Sequence, residues 1–216
     1  MGPLLVEPER QPELGIIAFH DAGACPEQFD EAFEAWQSTL PATVFYAPRA
    51  PMPCFAAMCG YQWYDIDGIG TDNRADRLSE GVEFARQLLK RFGRQFELPP
   101  AQVVAAGYSQ GAVILLGLAA EAGNRYFGQL LSFAGQALPE EIPVEPRSPW
   151  PQVDLFHGEL DDVVPVAYAN DLFNWLSAHG ADPSLFVEYY TEHELTEGVI
   201  RKAADRLRIR YRDPPI

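Results

Sequence analysis

Residues 103–120 read VVAAGYSQGAVILLGLAA. The first residues are apolar or small, as in a short buried strand, and from Gln110 onward almost every residue is apolar. That composition predicts a helix buried on all sides rather than one lying on a surface. Between the two sits Gly107-Tyr108-Ser109-Gln110-Gly111, a G-x-S-x-G sequence. Such a pentapeptide is weak on its own, but a strand before it and a helix after it supply the context of a nucleophile elbow. The serine there occupies a sharp, strained turn. The residues two before and two after it must be small so that strand and helix can approach. The turn lifts the hydroxyl above the sheet edge, and the helix aims its positive N-terminus at it. A phosphate-binding turn would want more glycines and usually a lysine. Ser109 is therefore the candidate nucleophile.

Working outward, short apolar runs alternate with amphipathic segments, the pattern of βα units around a mostly parallel sheet with helices on both faces. LGIIAFH (14–20) is a continuous apolar run, as a strand buried on both faces should be. Residues 26–40 place Phe29, Phe33, Trp36 and Leu40 at helical spacing. Strands are expected at 43–46, 103–107, 130–134, 153–156 and 185–190, and further helices at 76–92, 110–122, 165–178 and 196–210. The stretch 50–70 is dense in Pro, Gly and aromatics and long for a connector, which marks it as functional or disordered. Phe55, Tyr61, Trp63 and Tyr64 argue against disorder. Met52, Phe55, Met58, Trp63 and Tyr64 are candidate substrate-binding residues, an apolar wall for an acyl chain; covering the sheet edge is the alternative role.

A serine hydroxyl needs an adjacent base, and that base needs an orienting group. After an elbow serine the chain order is acid, then histidine. Of four histidines, His20 and His157 come too early. His179 precedes Gly180 at a helix end, where a capping role is ordinary. His193 follows the last strand, at the sheet edge where chemistry collects in open α/β sheets, and is the expected base. For the acid, HGELDDVVP (157–165) follows a strand and leads into a helix. Either Asp161 or Asp162 can orient the imidazole while the other caps the helix, and spacing alone does not choose.

The length of 216 residues fits one domain, with residues 1–13, which hold three glutamates and three prolines, expected as a loose leader. No basic-then-apolar secretory signal opens the chain, and no apolar run reaches the ~20 residues of a membrane span. With 31 acidic and 16 basic residues the formal charge is −15, which disfavours nucleic acid and anionic membranes as partners. The basic cluster at 201–212 reads as a solvated face near a helix C-terminus. Cys25, Cys54 and Cys59 form no metal-ligand pattern. Reduced thiols are expected over a Cys54–Cys59 pair, with a cytoplasmic location. No metal or cofactor is expected.

The motifs together resemble the phospholipase/carboxylesterase family of α/β-hydrolases, which includes bacterial carboxylesterases and acyl-protein thioesterases. The resemblance runs from about residue 14 to the last helix. GYSQGA (107–112) is similar to that family's G-[FY]-S-Q-G-[GA], the most specific match. HGELDDVVP is similar to H-G-x-x-D-x-x-V-P and places the catalytic acid on Asp161. EHEL (192–195) is similar to G-H-x-[LIV] and places the base on His193. YQWYDI (61–66) resembles the W-[YF]-D segment, and residues 48–53 fall where the family has its proline-rich run. The resemblance implies a single-domain α/β-hydrolase with the backbone N–H groups of Ala22 and Gln110 as oxyanion hole. Two residues depart from the pattern. Asp21 and Glu192 stand where the family commonly has glycine. A carboxylate at 21 opposes catalysis if it faces the oxyanion. Short Asp side chains in turns often bond neighbouring amides instead, so Asp21 is expected to turn away.

The implied chemistry is serine hydrolysis of carboxylic esters or thioesters of short to medium acyl chains through an acyl-enzyme, with a small-molecule substrate and a monomer or weak homodimer as the working form. The competing readings are a protein depalmitoylase or lysophospholipase, or a catalytically damped α/β-hydrolase that acts as a binding protein. Only Asp21 and Glu192 suggest the last.

Overall fold

The computed structural model describes residues 3–55, 60–70, 72–136 and 145–212. Among these, seven strands form one sheet in the order β1-β3-β2-β6-β7-β8-β9. They are β1 (Leu4–Val6), β2 (Leu14–Phe19), β3 (Thr43–Ala47), β6 (Val103–Tyr108), β7 (Gln129–Phe133), β8 (Gln152–Gly158) and β9 (Pro183–Glu188). A two-stranded ribbon of β4 (Met52–Pro53) and β5 (Tyr61–Gln62) stands apart from it. All sheet pairings are parallel except β1 with β3. Ile16, Ile17, Val104, Ala105, Leu130 and Leu131 are fully buried, because helices cover both faces of the central strands.

Two hydrophobic clusters divide the helices between those faces. Leu78, Val82 and Leu89 of α2 (Arg74–Gln95), Ile114 and Leu118 of α3 (Gln110–Ala122), and Leu172 and Leu176 of α4 (Val166–Ala178) pack on one face. Phe33 and Trp36 of α1 (Asp30–Thr39), with Ala203 and Leu207 of α5 (Glu197–Tyr211), pack on the other. Trp36 Nε1–H donates to the Ile200 carbonyl at 3.0 Å, fastening α1 to α5. Helix α3 buries residues on every side, as its run of apolar residues predicts. No helix among the described residues is long and apolar enough to cross a membrane.

The loose-leader expectation needs correction. Leu4–Val6 forms an antiparallel edge strand on β3, and Gln11 Nε2 donates to the Phe96 carbonyl. Three residues between Pro3 and Pro8 are too short a run for periodicity to reveal, although a short, proline-flanked strand suits an exposed sheet edge. The basic cluster also differs from a purely solvated face. Arg206 Nε donates to the fully buried Asp154 carboxylate at 2.8 Å, and Arg210 donates to the Gly128 carbonyl.

Candidate active site

Strand β6 ends at Tyr108, and the turn residue Ser109 follows it with a φ of 48° and ψ of −110°, backbone space that a non-glycine residue occupies at a cost. The turn is held on both sides: Ser109 N–H donates to the Phe133 carbonyl, and Val113 N–H donates to the Ser109 carbonyl. The glycines of the motif are explained by distance. A Cβ on Gly107 would lie 2.6 Å from Ala112 backbone, and one on Gly111 would lie 2.0 Å from the Phe19 carbonyl oxygen. Neither gap admits a methyl group.

Asp161 lies in the loop after β8, its side chain wholly buried. Its Oδ1 accepts N–H bonds from Val163 and Val164 at 3.0 and 2.7 Å, and its Oδ2 lies 2.8 Å from His193 Nδ1. The carboxylate thus fixes the Nδ1–H tautomer of His193 and leaves Nε2 toward the site. Asp162 is exposed. His179 donates from Nδ1 to the Trp175 carbonyl at the end of α4, a capping arrangement. Glu192 also points into solvent, so this departure from the family pattern leaves the reacting centre untouched.

Sequence reasoning had no role for His157 or His20, and both turn out to hold the loops of the site. His157 Nε2–H donates to the Val164 carbonyl at 2.6 Å and lies 3.3 Å from Asp161 Oδ2. Burial pushes its pKa down, so it braces the acid loop as a neutral ring. Ala50 N–H donates to His20 Nε2, which puts the His20 proton on Nδ1, where it bonds the Asp21 carbonyl at 2.7 Å. Burial lowers the His20 pKa also. The only sequence signal for either residue was membership of a quoted motif.

The environment of His193 is strongly anionic. Burial works against its charge, but the carboxylates of Asp21 and Asp161 outweigh burial and its pKa is raised. The Tyr108 ring lies 5.2 Å from the imidazole, and burial followed by nearby carboxylates raises its own pKa, so it stays a neutral wall. His193 Nε2 is buried and has no hydrogen-bond partner among the described residues. The bond to Ser109 Oγ that proton transfer requires is therefore not made here; catalytic hydrogen bonds of this kind often tighten only around the substrate.

Asp21 does not turn away. Its Oδ1 accepts from Ala22 N–H at 2.6 Å and from Gln110 N–H at 3.3 Å, the two amides expected to hold the oxyanion. Its Oδ2 faces His193 Nε2 at 3.8 Å. It does bond backbone amides, as short Asp side chains do, but these are the amides expected to form the hole.

A cavity of about 350 Å³ opens beside Ser109, Asp21, Ala22 and Gln110. Its walls include Ile66, Ile69, Val113, Ala134, Val163 and Val164, and Arg74 and Gln136 add polar edges. Of the expected acyl wall, Tyr64 lines this cavity. Trp63 is 1% exposed and packs among Phe19, His20 and Phe84. Met52 and the exposed Phe55 lie outside the lining, and Met58 falls outside the described residues. Trp63 serves the site indirectly. Gln110 Oε1 accepts its backbone N–H at 2.8 Å, Gln110 Nε2 donates to the Tyr64 carbonyl at 2.8 Å, and Trp63 Nε1–H donates to the His20 carbonyl at 2.7 Å.

Serine at an elbow, then a buried aspartate, then a histidine after the last strand is the chain order of the α/β-hydrolases. Comparison with known proteins narrows that class. Residues 2–210 match the family described as Phospholipase/Carboxylesterase, and the chain belongs to that family. It is 24% identical over 204 residues to esterase YpfH of Escherichia coli (strain K12), covering 93% of this chain and 84% of that one. The crystal structure of esterase PE8 is similar with a TM-score of 0.86 at 25% identity, over 96% of this chain and 97% of the other. Zea mays acyl-protein thioesterase 2 shares the fold, with a TM-score of 0.72 at 19% identity, over 96% of this chain and 98% of that one. The chain is thus a carboxylesterase-type hydrolase, as the motifs implied.

Proposed function

We propose that this enzyme hydrolyses esters or thioesters of short to medium acyl chains, with Ser109, His193 and Asp161 as its catalytic triad. Ser109 Oγ attacks the acyl carbonyl while His193 Nε2 takes the hydroxyl proton. The tetrahedral oxyanion is held by the Ala22 and Gln110 N–H groups. His193 passes its proton to the departing alcohol or thiol, and the acyl group stays on Ser109 Oγ. Water, deprotonated in turn by His193, then releases the carboxylic acid and restores the serine. No step calls for a cofactor.

The observation that carries this reading is the 2.8 Å bond between His193 Nδ1 and a buried Asp161 that two backbone amides fix in place. The acyl-size proposal rests on the cavity, whose volume of about 350 Å³ is near the lower end of the roughly 300–1,000 Å³ usual for ligand pockets. A single-domain cytoplasmic enzyme, monomeric or weakly dimeric, is the accompanying reading. The acidic composition supports it, as does the buried Cys54 thiol, unbridged among the described residues; Cys59, its considered partner, lies outside them. The deciding experiment is Ser109→Ala assayed on p-nitrophenyl esters of increasing chain length, with a fluorophosphonate probe alongside. A folded variant with background activity and no labelling is expected. Retained hydrolysis would remove Ser109 from the mechanism, and a wild-type optimum on long chains would remove the acyl-size assignment.

A further inference from the structure

A tetrahedral oxyanion, or a product carboxylate, would set one oxygen between the Ala22 and Gln110 amides and present another to His193. The side chain of Asp21 already makes this pattern: Oδ1 accepts from both amides, and Oδ2 faces His193 Nε2 at 3.8 Å. We propose that Asp21 is a resident occupant of the oxyanion hole, a tethered carboxylate that every acyl substrate must displace and that keeps free carboxylates out of the site. The inference rests on the reading of Ser109 as nucleophile and of these amides as its oxyanion hole.

The main chain at Asp21 is pinned independently of its carboxylate. Asp21 N–H donates to Gln28 Oε1 at 2.9 Å, and the Asp21 carbonyl accepts from His20 Nδ1–H at 2.7 Å. The loop can therefore stay in place while the side chain rotates. That side chain is 23% exposed and lines the cavity, so it has somewhere to go. Displacement exchanges one anion for another on the same two donors, which a neutral ester carbonyl does poorly until charge develops on its oxygen. Hydrolysis is thereby slowed at the first step, while the carboxylic acid product meets a filled hole and a like charge.

The pair also governs pH. His193 has a carboxylate at each nitrogen, Asp161 on Nδ1 and Asp21 on Nε2, and is shifted toward the imidazolium. An imidazolium cannot accept the Ser109 proton. The other titratable groups around the pair are Tyr108 at the end of β6, held neutral; His157 on β8 behind Asp161, held neutral; Glu194 on the loop of His193; His20 beside Asp21; and Arg74 across the cavity. Removing Asp21 takes away the one carboxylate that faces Nε2 among the described residues, so the pH below which activity is lost moves down.

The test uses the full chain and its Asp21→Gly and Asp21→Asn variants with p-nitrophenyl butyrate across pH 5–9. Asp21→Gly is expected to raise kcat/KM at pH 7 at least tenfold, to lower the apparent pKa of the acid limb, and to tighten butyrate binding at least tenfold. Asp21→Asn keeps the shape but not the charge; it should lower the acid limb similarly and raise kcat/KM less. Butyrate affinity is read by calorimetry, which needs no turnover, so it reports on Asp21 even if Ser109→Ala were to retain activity and the catalytic reading fell. An acid limb unmoved in both variants, or butyrate binding no tighter in Asp21→Gly, would overturn the proposal. So would kcat/KM within twofold of wild type in Asp21→Gly. A purely structural role would reduce activity alike at every pH, and the isosteric Asn variant guards against loss of fold in the glycine one.

Discussion

Gln110 gives to the site with both its main chain and its side chain, and the two can be separated. Gln110→Met keeps the backbone N–H proposed to hold the oxyanion and nearly keeps the volume, but deletes the amide that bridges Trp63 N–H and the Tyr64 carbonyl, each at 2.8 Å. Gln110 is 5% exposed and both bonds are buried, so water cannot readily replace the lost partners. Each orphaned buried group costs about 1–3 kcal/mol; with partial relaxation the variant should lose roughly 2–4 kcal/mol of stability. At a urea slope of about 2 kcal/mol per molar, the unfolding midpoint falls by about 1–2 M.

Activity should change in a distinctive way. Tyr64 lines the cavity, so loosening its segment raises KM, while the intact Gln110 N–H spares kcat the roughly 10²–10³-fold fall that follows loss of an oxyanion donor. Urea unfolding followed by tryptophan fluorescence, and steady-state kinetics on one short ester, measure both. A midpoint unchanged within about 0.5 kcal/mol of stability would refute the bridging argument. A collapse of kcat with KM unchanged would refute the separation of backbone and side-chain roles.

Asp161→Asn should cut kcat by about 10³–10⁴-fold, because an amide favours the wrong His193 tautomer, whereas Asp162→Asn on the exposed neighbour should leave kinetics nearly intact; reversed effects would move the acid to position 162. In the wild type kcat/KM should fall as pH drops through a His193 pKa above the ordinary value, since activity needs the neutral ring and its pKa is raised; an acid limb below about 6.5 would contradict this. His157 is buried neutral with a lowered pKa, so it supports the fold fully above its unfolded pKa of about 6.5 and less as pH falls toward the folded value. His157→Gln should therefore show a smaller drop in melting temperature between pH 7 and pH 5 than wild type; an equal drop would place that acid sensitivity elsewhere.

What the chain discloses before folding depends on how far apart its partners lie. The elbow was legible because every requirement is local: Gly107 and Gly111 flank Ser109 by two residues, and the apolar run after it can only be a buried helix. The place of His193 in the fold was legible because its position after β9 is a consequence of topology. The aromatic wall was not, since Trp63 and Tyr64 are adjacent and alike in composition, and only the bridge from Gln110 decides that one is core and the other lining. Asp21 shows the limit most clearly. Its bond to Ala22 N–H joins neighbours and follows from the habits of short carboxylates in turns. Its bond to Gln110 N–H spans 89 residues of sequence and exists only because the parallel pairing of β2 with β6 sets Phe19 beside Gly107. The proposed oxyanion hole takes one amide of each kind, so a side chain that satisfies the near donor can be carried by the fold onto the far one as well. The same register that brings the two amides together thereby brings the Asp21 carboxylate onto both.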